Sequence, residues 1–574
     1  MNSAVPENNS TRSMSHPSGP RILIVGLDGA TLDLIRPWAA EGALPTFARI
    51  LSEGTWGRLE SVVPPLTGPA WTSFMTGKNP GKHAIFDFIR RGRSDYNGVP
   101  INASLRDGDS LWHLLNQAGK RVGVLSVPAT YPPEPVNGFM VTGMMTPPDA
   151  TDYTYPPSLA QELERAVPSF TLAPKGTAHP LGREASLMDA LERLTEMTME
   201  TTRYLMGRYK WDFFMTVLKE TDVAMHWLWR FMDQRHAWYV HDAPERLRQG
   251  IGHCYQRMDS CLAELLNAAG DDTILIVMSD HGAGPLEQYI HVNAWLVDQA
   301  LMQLQRNLST GVKRLLYQIG ATPINLYKLS MALGRGPQVA QTLRHHKAGT
   351  LSLLRRVFLS FSDVDWSQTR AYSLGNYGQL YVNLRGREPQ GIVAPGAEYE
   401  RVVDELVDRL SHLRHPQTGQ PIPVRVYRRE EIYQGAHLEE GPDVVFLPQD
   451  MRYNGFGLYQ FSSRSWLEPT FDRSGGHRMD GVVMFIGPGI RRGHELGKAA
   501  LIDLAPTVLA ALGVPVPDDM DGRVLSEAFE NSYFRERPIR YTPARPTEPR
   551  EQLELSPEQE ELIKERLRGL GYIA

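Results

Sequence analysis

Short apolar runs alternate with segments of helical spacing through the first half of the chain. Residues 110–120, 184–209 and 244–269 carry apolar side chains at the intervals of an amphipathic helix. The apolar runs beside them are RILIVGLDG (21–29), RVGVLSVP (121–128), WDFFMTVLKE (211–220) and TILIVMSD (273–280). Continuous apolar runs are typical of strands buried on both faces. The alternation predicts an α/β fold with a mostly parallel sheet and helices on both of its faces.

The pattern changes between Gln299 and Ser362. This stretch contains nine Lys and Arg residues but no Asp or Glu, and the basic residues alternate with Leu-rich patches of helical spacing. We therefore predict a basic helical cap over 299–370, inserted into a catalytic core that comprises residues 21–298 and 371–530. The second part of that core contains strand-like runs at 371–384, 441–448 and 479–490 and a helix at 501–513.

The two ends of the chain differ from the core. Residues 1–20 are polar, rich in Pro, Ser and Asn and without the apolar stretch of a secretory signal, so we expect a disordered lead-in. Residues 531–574 form a tail with an amphipathic helix over Pro557–Leu570 that we expect to dock back. The sequence shows no apolar run of about 18 residues that could span a bilayer. We therefore expect a cytoplasmic protein.

Composition excludes several classes of protein. The 574 residues are 42% hydrophobic and 22% charged, which is typical of globular proteins and not of fibrous or disordered chains. A net charge of -5 gives no overall attraction to nucleic acid, so none is expected as a partner. Cys254 and Cys261 lie about two turns apart on a predicted helix, too far for a disulfide. Free thiols agree with a reducing compartment.

Five short segments place acidic, imidazole or hydroxyl groups beside glycines or at the ends of apolar runs. They are GLDG with Asp28, PPLTGPAW with Thr67, ETDVAMH with Asp222 and His226, SDHG with Asp280 and His281, and SGGH with His477. Each alone has an ordinary explanation, such as a helix cap, a turn or a buried hydrogen-bonded pair. Together, three carboxylates and three imidazoles are the ligands that two adjacent divalent cations, Zn²⁺ or Mn²⁺, require.

These segments, in this order, resemble the motifs of the type I phosphodiesterase/nucleotide pyrophosphatase branch of the alkaline phosphatase superfamily. They are similar in particular to a bacterial group of predicted phosphohydrolases and phosphomutases. The resemblance covers Arg21 to Leu525 apart from the cap, and it implies an alkaline phosphatase-like core. It implies one cation bound by Asp28, Asp280 and His281 beside the Thr67 oxygen. It implies a second cation bound by Asp222, His226 and His477.

The resemblance also implies a reaction. Thr67 would attack phosphorus and form a phosphothreonine that water then hydrolyses, while the backbone amide of Gly68 would help to bind the non-bridging oxygens. A sulfatase is disfavoured, because Thr67 lacks the required chemistry and Trp71 stands where sulfatases carry Arg. A phosphomutase whose cap excludes water, and a catalytically inactive protein that binds a phosphorylated ligand, are the alternatives.

The substrate is less well defined. No Arg stands beside Thr67 to meet the extra charge of a monoester, and Lys78 and Lys219 are substitutes only by proximity in sequence. Three tryptophans near the motifs slightly favour a bulky phosphodiester or nucleotide pyrophosphate, although core packing explains them equally well. These are Trp71, Trp227 and Trp229. We expect a small-molecule or lipid-linked phosphoester as the substrate. One possible role of the cap is peripheral contact of residues 299–362 with anionic membranes. The simpler interpretation is that the basic residues form a solvated helical face.

Overall fold

The computed structural model describes residues 20–92, 94–172, 176, 182–332, 357–457, 461–545 and 551–570. The strands before the cap are β1 (Arg21–Leu27), β2 (Thr55–Glu60), β3 (Ile89–Arg91), β4 (Gly98–Pro100), β5 (Val122–Val127), β6 (Gly138–Thr142), β7 (Thr154–Tyr155), β8 (Phe213–Leu218), β9 (Thr273–Met278), β10 (Gly282–Pro285) and β11 (Gln288–His291). The helices before the cap are α1 (Leu32–Ala40), α2 (Pro45–Glu53), α3 (Thr67–Thr76), α4 (Pro80–His83), α5 (Leu111–Gln117), α6 (Leu159–Ala166), α7 (Glu184–Arg208), α8 (Glu220–Met232), α9 (Glu245–Arg248), α10 (Gly250–Ala269) and α11 (Val292–Asp298).

The later elements include the cap and the C-terminal part. The helices are α12 (Leu308–Gln318), α13 (Pro323–Ala332), α14 (Ala397–Ser411), α15 (Arg429–Ile432), α16 (Leu504–Ala511), α17 (Tyr533–Glu536) and α18 (Pro557–Leu570). The strands are β12 (Ala371–Ser373), β13 (Gln379–Val382), β14 (Val424–Arg428), β15 (Val444–Pro448), β16 (Tyr453–Phe456), β17 (Leu467–Pro469), β18 (Gly475–Arg478), β19 (Asp480–Ile486), β20 (His494–Glu495), β21 (Ala499–Ala500), β22 (Val516–Pro517) and β23 (Tyr541–Thr542).

A ten-stranded sheet forms the centre of the molecule, in the order β20-β2-β19-β9-β1-β8-β5-β6-β7, with β21 beside β2. The five middle strands, β9 to β6 in that order, are parallel to one another, and β19 and β7 are antiparallel to their neighbours. This sheet confirms the predicted α/β fold with a mostly parallel sheet. Because the middle strands are parallel, their carboxyl ends meet at one edge, where ligands bind in folds of this kind.

Helices cover both faces of the sheet, and β1 shows how one strand serves two cores. Leu23, Val25 and Leu27 pack into one apolar cluster, and Ile22 and Ile24 into another. All five side chains are fully buried. Successive side chains of a strand point to opposite faces, so a strand covered on both sides reads as an unbroken apolar run. That is the pattern from which β1 was predicted.

Residues 371–530 were predicted to form the second part of the core, but only some of their strands belong to the main sheet. The runs at 371–384 and 441–448 do form strands, but these belong to a separate antiparallel sheet in the order β12-β13-β15-β14. This sheet, with α14 packed against it, has its own apolar cluster and is called here the second lobe (residues 371–456). The strands have three to five residues, and they pair with one another and not with the strands of the main sheet.

Both the predicted cap and the predicted tail contain helices where they are described. Helices α12 and α13 lie within the predicted cap, and residues 333–356 are outside the described residues. The disordered lead-in predicted for residues 1–20 likewise lies outside them, apart from residue 20. The tail ends in α18, which contacts β4, so it does dock back. Among the described helices, none combines the length and the apolar character that a bilayer crossing requires.

Candidate metal centre

The carboxyl edge of the parallel strands gathers all seven predicted site residues. Asp28 directly follows β1, Asp222 lies in the first turn of α8 behind β8, and Asp280 follows β9. Thr67 is the first residue of α3, and His477 lies on β18, which pairs with β10 just after His281. None of the seven side chains is more than 2% exposed. Groups that are far apart in sequence therefore meet in one buried place.

The first set of side chains surrounds Asp222. The Oδ1 atom of Asp222 lies 3.3 Å from Nε2 of His226 and 3.5 Å from Nε2 of His477. The two Nε2 atoms are 3.2 Å apart. Three ligand atoms within this distance of one another are arranged as they would be around a single cation.

The second set surrounds His281. Its Nε2 atom lies 3.4 Å from Oδ1 of Asp28, 3.4 Å from Oδ2 of Asp280 and 3.4 Å from the hydroxyl oxygen of Thr67. The same nitrogen is 4.0 Å from Oδ1 of Asp222, which joins the two sets. Ligand atoms of Asp28, Asp280 and His281 lie within 4.8 Å of one another, as do those of Asp222, His281 and His477. The sets are thus adjacent, as the two predicted cation sites require.

Backbone carbonyls orient the three imidazoles. The Nδ1 atoms of His226, His281 and His477 lie 2.8, 3.1 and 2.7 Å from the carbonyl oxygens of Gly475, Gly282 and Pro65. A carbonyl only accepts, so Nδ1 carries the proton in each ring and the lone pair of Nε2 points into the centre. Two such lone pairs facing each other at 3.2 Å repel unless a cation or a proton lies between them. A carbonyl partner on the far nitrogen is typical of metal-bound histidine.

The carboxylates are crowded and poorly solvated. Both carboxylate oxygens of Asp28 and Oδ2 of Asp280 accept no hydrogen bond from a described residue. Burial, with the charges of Asp280 and Asp222, raises the pKa of Asp28 well above its usual value, and burial with the charge of Asp222 raises the pKa of Asp280 to about 8. Burial also opposes ionisation of Asp222, but His226 and His477 outweigh it and lower its pKa. Divalent cations would relieve this repulsion, and these oxygen and nitrogen donors suit Zn²⁺ or Mn²⁺.

Thr67 lies where a helix begins, which adds a site for an anion. The backbone N–H of Gly68, the second residue of α3, donates no hydrogen bond to any described residue. Free N–H groups and the helix dipole make such an end attractive to phosphate oxygens. The predicted nucleophile, the predicted metal ligands and the free N–H of Gly68 therefore lie close together.

The other residues considered in the sequence analysis lie in several different places in the fold. Lys78 pairs with Asp519, while Lys219 lines a cavity beside Asp28. The three tryptophans are buried in the apolar clusters on the two faces of the sheet. This burial agrees with the interpretation that they pack in the core. They are Trp71, Trp227 and Trp229.

Sequence reasoning missed Tyr377, a residue of the second lobe. Its hydroxyl accepts the backbone N–H of His477 at 3.3 Å, and its ring stacks on the His477 ring with the centroids 5.2 Å apart. The backbone of Tyr377 is left-handed, with φ of 53°, and Gly375 and Gly378 beside it also have positive φ. A bulky residue in this conformation is uncommon and marks a position fixed by its surroundings. The signal in the sequence was the pair of glycines in LGNYG.

Comparison with known proteins gives a family and several distant folds. The family model described as type I phosphodiesterase / nucleotide pyrophosphatase matches residues 22–453. Human ectonucleotide pyrophosphatase / phosphodiesterase 5 is 12% identical, with 88% of this chain and 98% of that chain covered and a TM-score of 0.47. Phosphonoacetate hydrolase from Sinorhizobium meliloti 1021 is 14% identical, with coverages of 86% and 95% and a TM-score of 0.49. No curated protein sequence matches the chain.

Proposed function

Because the chain belongs to the type I phosphodiesterase / nucleotide pyrophosphatase family, we propose that it is a two-metal hydrolase of phosphoric esters. The observation that carries this proposal is the convergence of the three Nε2 lone pairs with the carboxylates of Asp28, Asp222 and Asp280 in one buried place. We propose phosphodiesters or nucleotide pyrophosphates as substrates in preference to monoesters. The two cysteines, both unpaired, agree with a cytoplasmic location.

The proposed ligands divide as the two sets do. Asp222, His226 and His477 would hold one divalent cation. Asp28, Asp280 and His281 would hold the other, next to the Thr67 hydroxyl. When bound, the cations lower the pKa of that hydroxyl and offset the negative charge that gathers on the phosphoryl oxygens.

The residues of the chain then carry out two displacements. The Thr67 hydroxyl gives its proton to water, and its oxygen forms a bond to phosphorus as the bond between phosphorus and the leaving oxygen breaks. The leaving oxygen takes up a proton from water. The free N–H of Gly68 donates to a non-bridging oxygen during this step. Water then attacks the phosphothreonine, releases phosphate or a phosphomonoester and returns the hydroxyl to Thr67.

A phosphomutase is the second candidate, and burial of the centre favours it. Thr67 is 0% exposed and His477 is 2% exposed, so little water reaches the phosphothreonine. In a mutase the same phosphoryl group returns to a substrate oxygen instead of water, which requires that water be excluded.

Nitrophenyl substrates test the hydrolase. The metal-loaded protein is assayed on a nitrophenyl phosphodiester, a phosphomonoester and a sulfate, with T67A as the control. Turnover of a phosphate ester that T67A abolishes supports the proposal, and the preferred ester gives the subclass. If all three are inert although two metals are bound, the mutase is favoured. Fewer than two metal equivalents with no turnover would leave only a protein that binds a phosphorylated ligand.

We also propose that the cap contacts anionic membranes, where a lipid-linked phosphoester substrate would be located. Helix α12 and its C-cap residue Ile319 expose apolar side chains: Leu308, Val312, Leu315 and Ile319 are 91%, 60%, 60% and 72% exposed. The spacing of four, three and four residues puts them on one face of the helix. Leu326 and Leu329 of α13 are also exposed, at 47% and 56%. An apolar helical face in a segment with nine basic and no acidic residues has the composition of a helix that lies on an anionic surface.

Vesicle sedimentation tests this contact. The protein is expected to sediment with vesicles containing phosphatidylserine and not with phosphatidylcholine alone, and L308E/L315E is expected to stay in the supernatant. V99E, at an exposed apolar residue outside the cap, is the control. Sedimentation of L308E/L315E equal to that of the wild type would contradict the proposal. Concentration-dependent self-association in place of sedimentation would assign the face to a second copy of the chain.

A further inference from the structure

Two buried polar side chains lie on the small sheet formed by β16, β11 and β17. His291 is 5% exposed and Asn454 is 2% exposed. Nε2 of His291 and Oδ1 of Asn454 make no hydrogen bond with any residue that the structure describes. Native proteins rarely bury a polar atom in this way, because the contact with water that it loses costs free energy. Two such atoms close together indicate that a ligand binds there.

The register of the strands places these two side chains near each other. Strands β11 and β16 are parallel, with Tyr289 opposite Asn454 and His291 opposite Phe456. Residues in register point to the same face of a sheet, as do residues two apart along one strand. All four side chains therefore share one face. With strands about 4.8 Å apart and a rise of about 3.3 Å per residue, the Cα atoms of His291 and Asn454 are about 8 Å apart, so one small group can contact both side chains.

Aromatic rings surround the two polar groups. The centroid of the Phe456 ring lies 5.0 Å from that of His291 and 5.1 Å from that of Tyr289. The ring of Phe471 lies 5.7 Å from that of Tyr289, and Nζ of Lys328, from α13 of the cap, lies 5.7 Å from the Phe471 ring. Aromatic walls with a few polar groups are typical of sites for small molecules.

This face of the small sheet adjoins the proposed metal centre. Two backbone hydrogen bonds, of 2.7 and 2.8 Å, join residues 375–378 to β16 and to the residue after it. Tyr377 in that loop contacts the proposed metal ligand His477. Arg473, four residues before His477, donates to the hydroxyl of Tyr289 at 3.2 Å. The face and the centre are therefore neighbours in the fold.

The chemistry of the two side chains favours a hydroxyl group as their partner. Burial and the nearby charge of Lys328 lower the pKa of His291 to about 3, so its imidazole is uncharged at neutral pH. A neutral imidazole has one N–H and one lone pair, whereas Oδ1 of Asn454 only accepts. A hydroxyl can donate to Oδ1 of Asn454 and also pair with the imidazole. An anionic oxygen, which only accepts, would leave Oδ1 of Asn454 unpaired.

We propose that His291 and Asn454 bind hydroxyl groups of the substrate, and that the substrate is a phosphoester of a sugar or another polyol. The inference rests on the proposed function, since it takes the phosphoryl group to bind at the metal centre. The apolar ring atoms of the sugar or polyol would pack against Tyr289 and Phe456.

Matched phosphodiesters test the proposal without turnover. Calorimetric titration uses the full-length, metal-loaded T67A protein, which lacks the proposed nucleophile. One pair of ligands is the methyl diester of glucose 6-phosphate and that of cyclohexylmethyl phosphate, which has a similar ring without hydroxyls. The other pair is the methyl diester of glycerol 3-phosphate and that of propyl phosphate. In at least one pair the hydroxylated ligand is expected to bind about tenfold more tightly, as one or two hydrogen bonds would give.

Two variants in the T67A background assign the preference to the small sheet. H291F and N454L are each expected to weaken binding of the hydroxylated ligand about tenfold and to leave binding of its hydroxyl-free partner within twofold. Because each variant replaces a buried, unpaired polar group by an apolar one of similar size, the unliganded protein is expected to unfold at the same or a higher temperature. H412F and N531L, at exposed positions after α14 and before α17, are the controls and are expected to match T67A.

The contrary outcomes are distinct. Equal affinity within both ligand pairs in the T67A protein would overturn the hydroxyl site. A preference that survives in H291F and N454L, with a lower unfolding temperature, would assign the two groups to a structural water and also overturn it. Either result leaves the hydrolase proposal in place if a nitrophenyl ester is turned over by the wild type. Absence of that turnover with an intact, variant-sensitive preference would instead overturn the reaction and leave the hydroxyl site.

Discussion

The metal centre and the cap distribute polar and apolar groups in opposite ways. The centre buries seven polar side chains, none more than 2% exposed, whereas the cap leaves Leu308 91% and Ile319 72% exposed. Burying charge costs free energy unless it is neutralised, and exposing apolar area costs about 25 cal/mol per Å². Each region is therefore unfavourable by itself. Under the proposals above, a cation would stabilise the centre and an apolar surface would stabilise the cap.

The two regions also differ in how they are held. The centre is fixed by elements from the whole chain, from β1 to β18. Within the cap, α12 is held by a buried ion pair between Lys313 and Asp363. Contacts of Tyr317 with Ser463 and of Ile324 with Ser462 join the cap to the rest of the chain. Perturbation of the centre should therefore change activity and metal binding, and perturbation of the cap should change only the cap.

The largest effect is expected from D222N, since Oδ1 of Asp222 contacts both sets of ligands. The kcat should fall roughly a thousandfold or more, and bound metal should fall below two equivalents. The metal-free protein should also lose stability at neutral pH, because His226 and His477 hold the pKa of Asp222 low and its charge is therefore stabilising in the fold. Kinetics, metal analysis and thermal unfolding measure the three quantities. D233N, just after α8, is the control, and D222N activity near that of the wild type would refute the ligand assignment.

Metal removal should destabilise the protein more as pH rises from about 4 to about 8. In the metal-free protein, burial and Asp222 raise the pKa of Asp280 to about 8, above its unfolded value. A group with a raised folded pKa contributes stability below its unfolded pKa, and that stability is lost as pH rises through the folded pKa. The slope is up to about 1.4 kcal/mol per pH unit for each such group. Thermal unfolding with chelator and with Zn²⁺, at pH 5.5 and at pH 8, measures how much stability metal removal costs. A loss of stability that is the same at both pH values would contradict the prediction.

In the cap, K313M should loosen α12 and leave the centre unchanged. Both partners of the Lys313–Asp363 pair are buried, and loss of one leaves a buried charge unpaired at a cost of about 3–5 kcal/mol. Limited proteolysis should cut the cap of K313M faster, while turnover of a soluble ester stays within twofold of the wild type. R314M, at the exposed neighbouring residue, should behave as the wild type. Equal loss of activity and cap stability would show that the two regions are coupled.

The smallest effect is expected from Y377F, which connects the second lobe to the centre. The ring would still stack on His477, but the N–H of His477 would lose its acceptor, at a cost of about 1–3 kcal/mol. Metal affinity, measured by competition with a chelator, should fall about tenfold, as is usual for groups that orient a ligand. Y381F, at another buried tyrosine of the lobe, should leave metal affinity unchanged. The same tenfold loss in both variants would mean that the effect is general loosening of the lobe.

The main sheet and the identity of the candidate site followed from local sequence patterns. Strands such as β1 and β9 are buried on both faces, so they appear as apolar runs that end at Asp28 and Asp280. The order of the motifs was enough to indicate the family, which the match over residues 22–453 confirms. These features can be predicted from the sequence because hydrophobic periodicity depends only on the neighbouring residues of one element.

Tertiary structure alone decided which groups face one another. The pairing of β13 with β15 in a separate lobe, the contact of Tyr377 with His477, and the packing of α18 against β4 join residues that are distant in the chain. The carbonyl partners of the three histidines also became visible only in the fold. Such contacts depend on how whole elements pack and on loop closure between them, and no local pattern of side chains encodes that free energy.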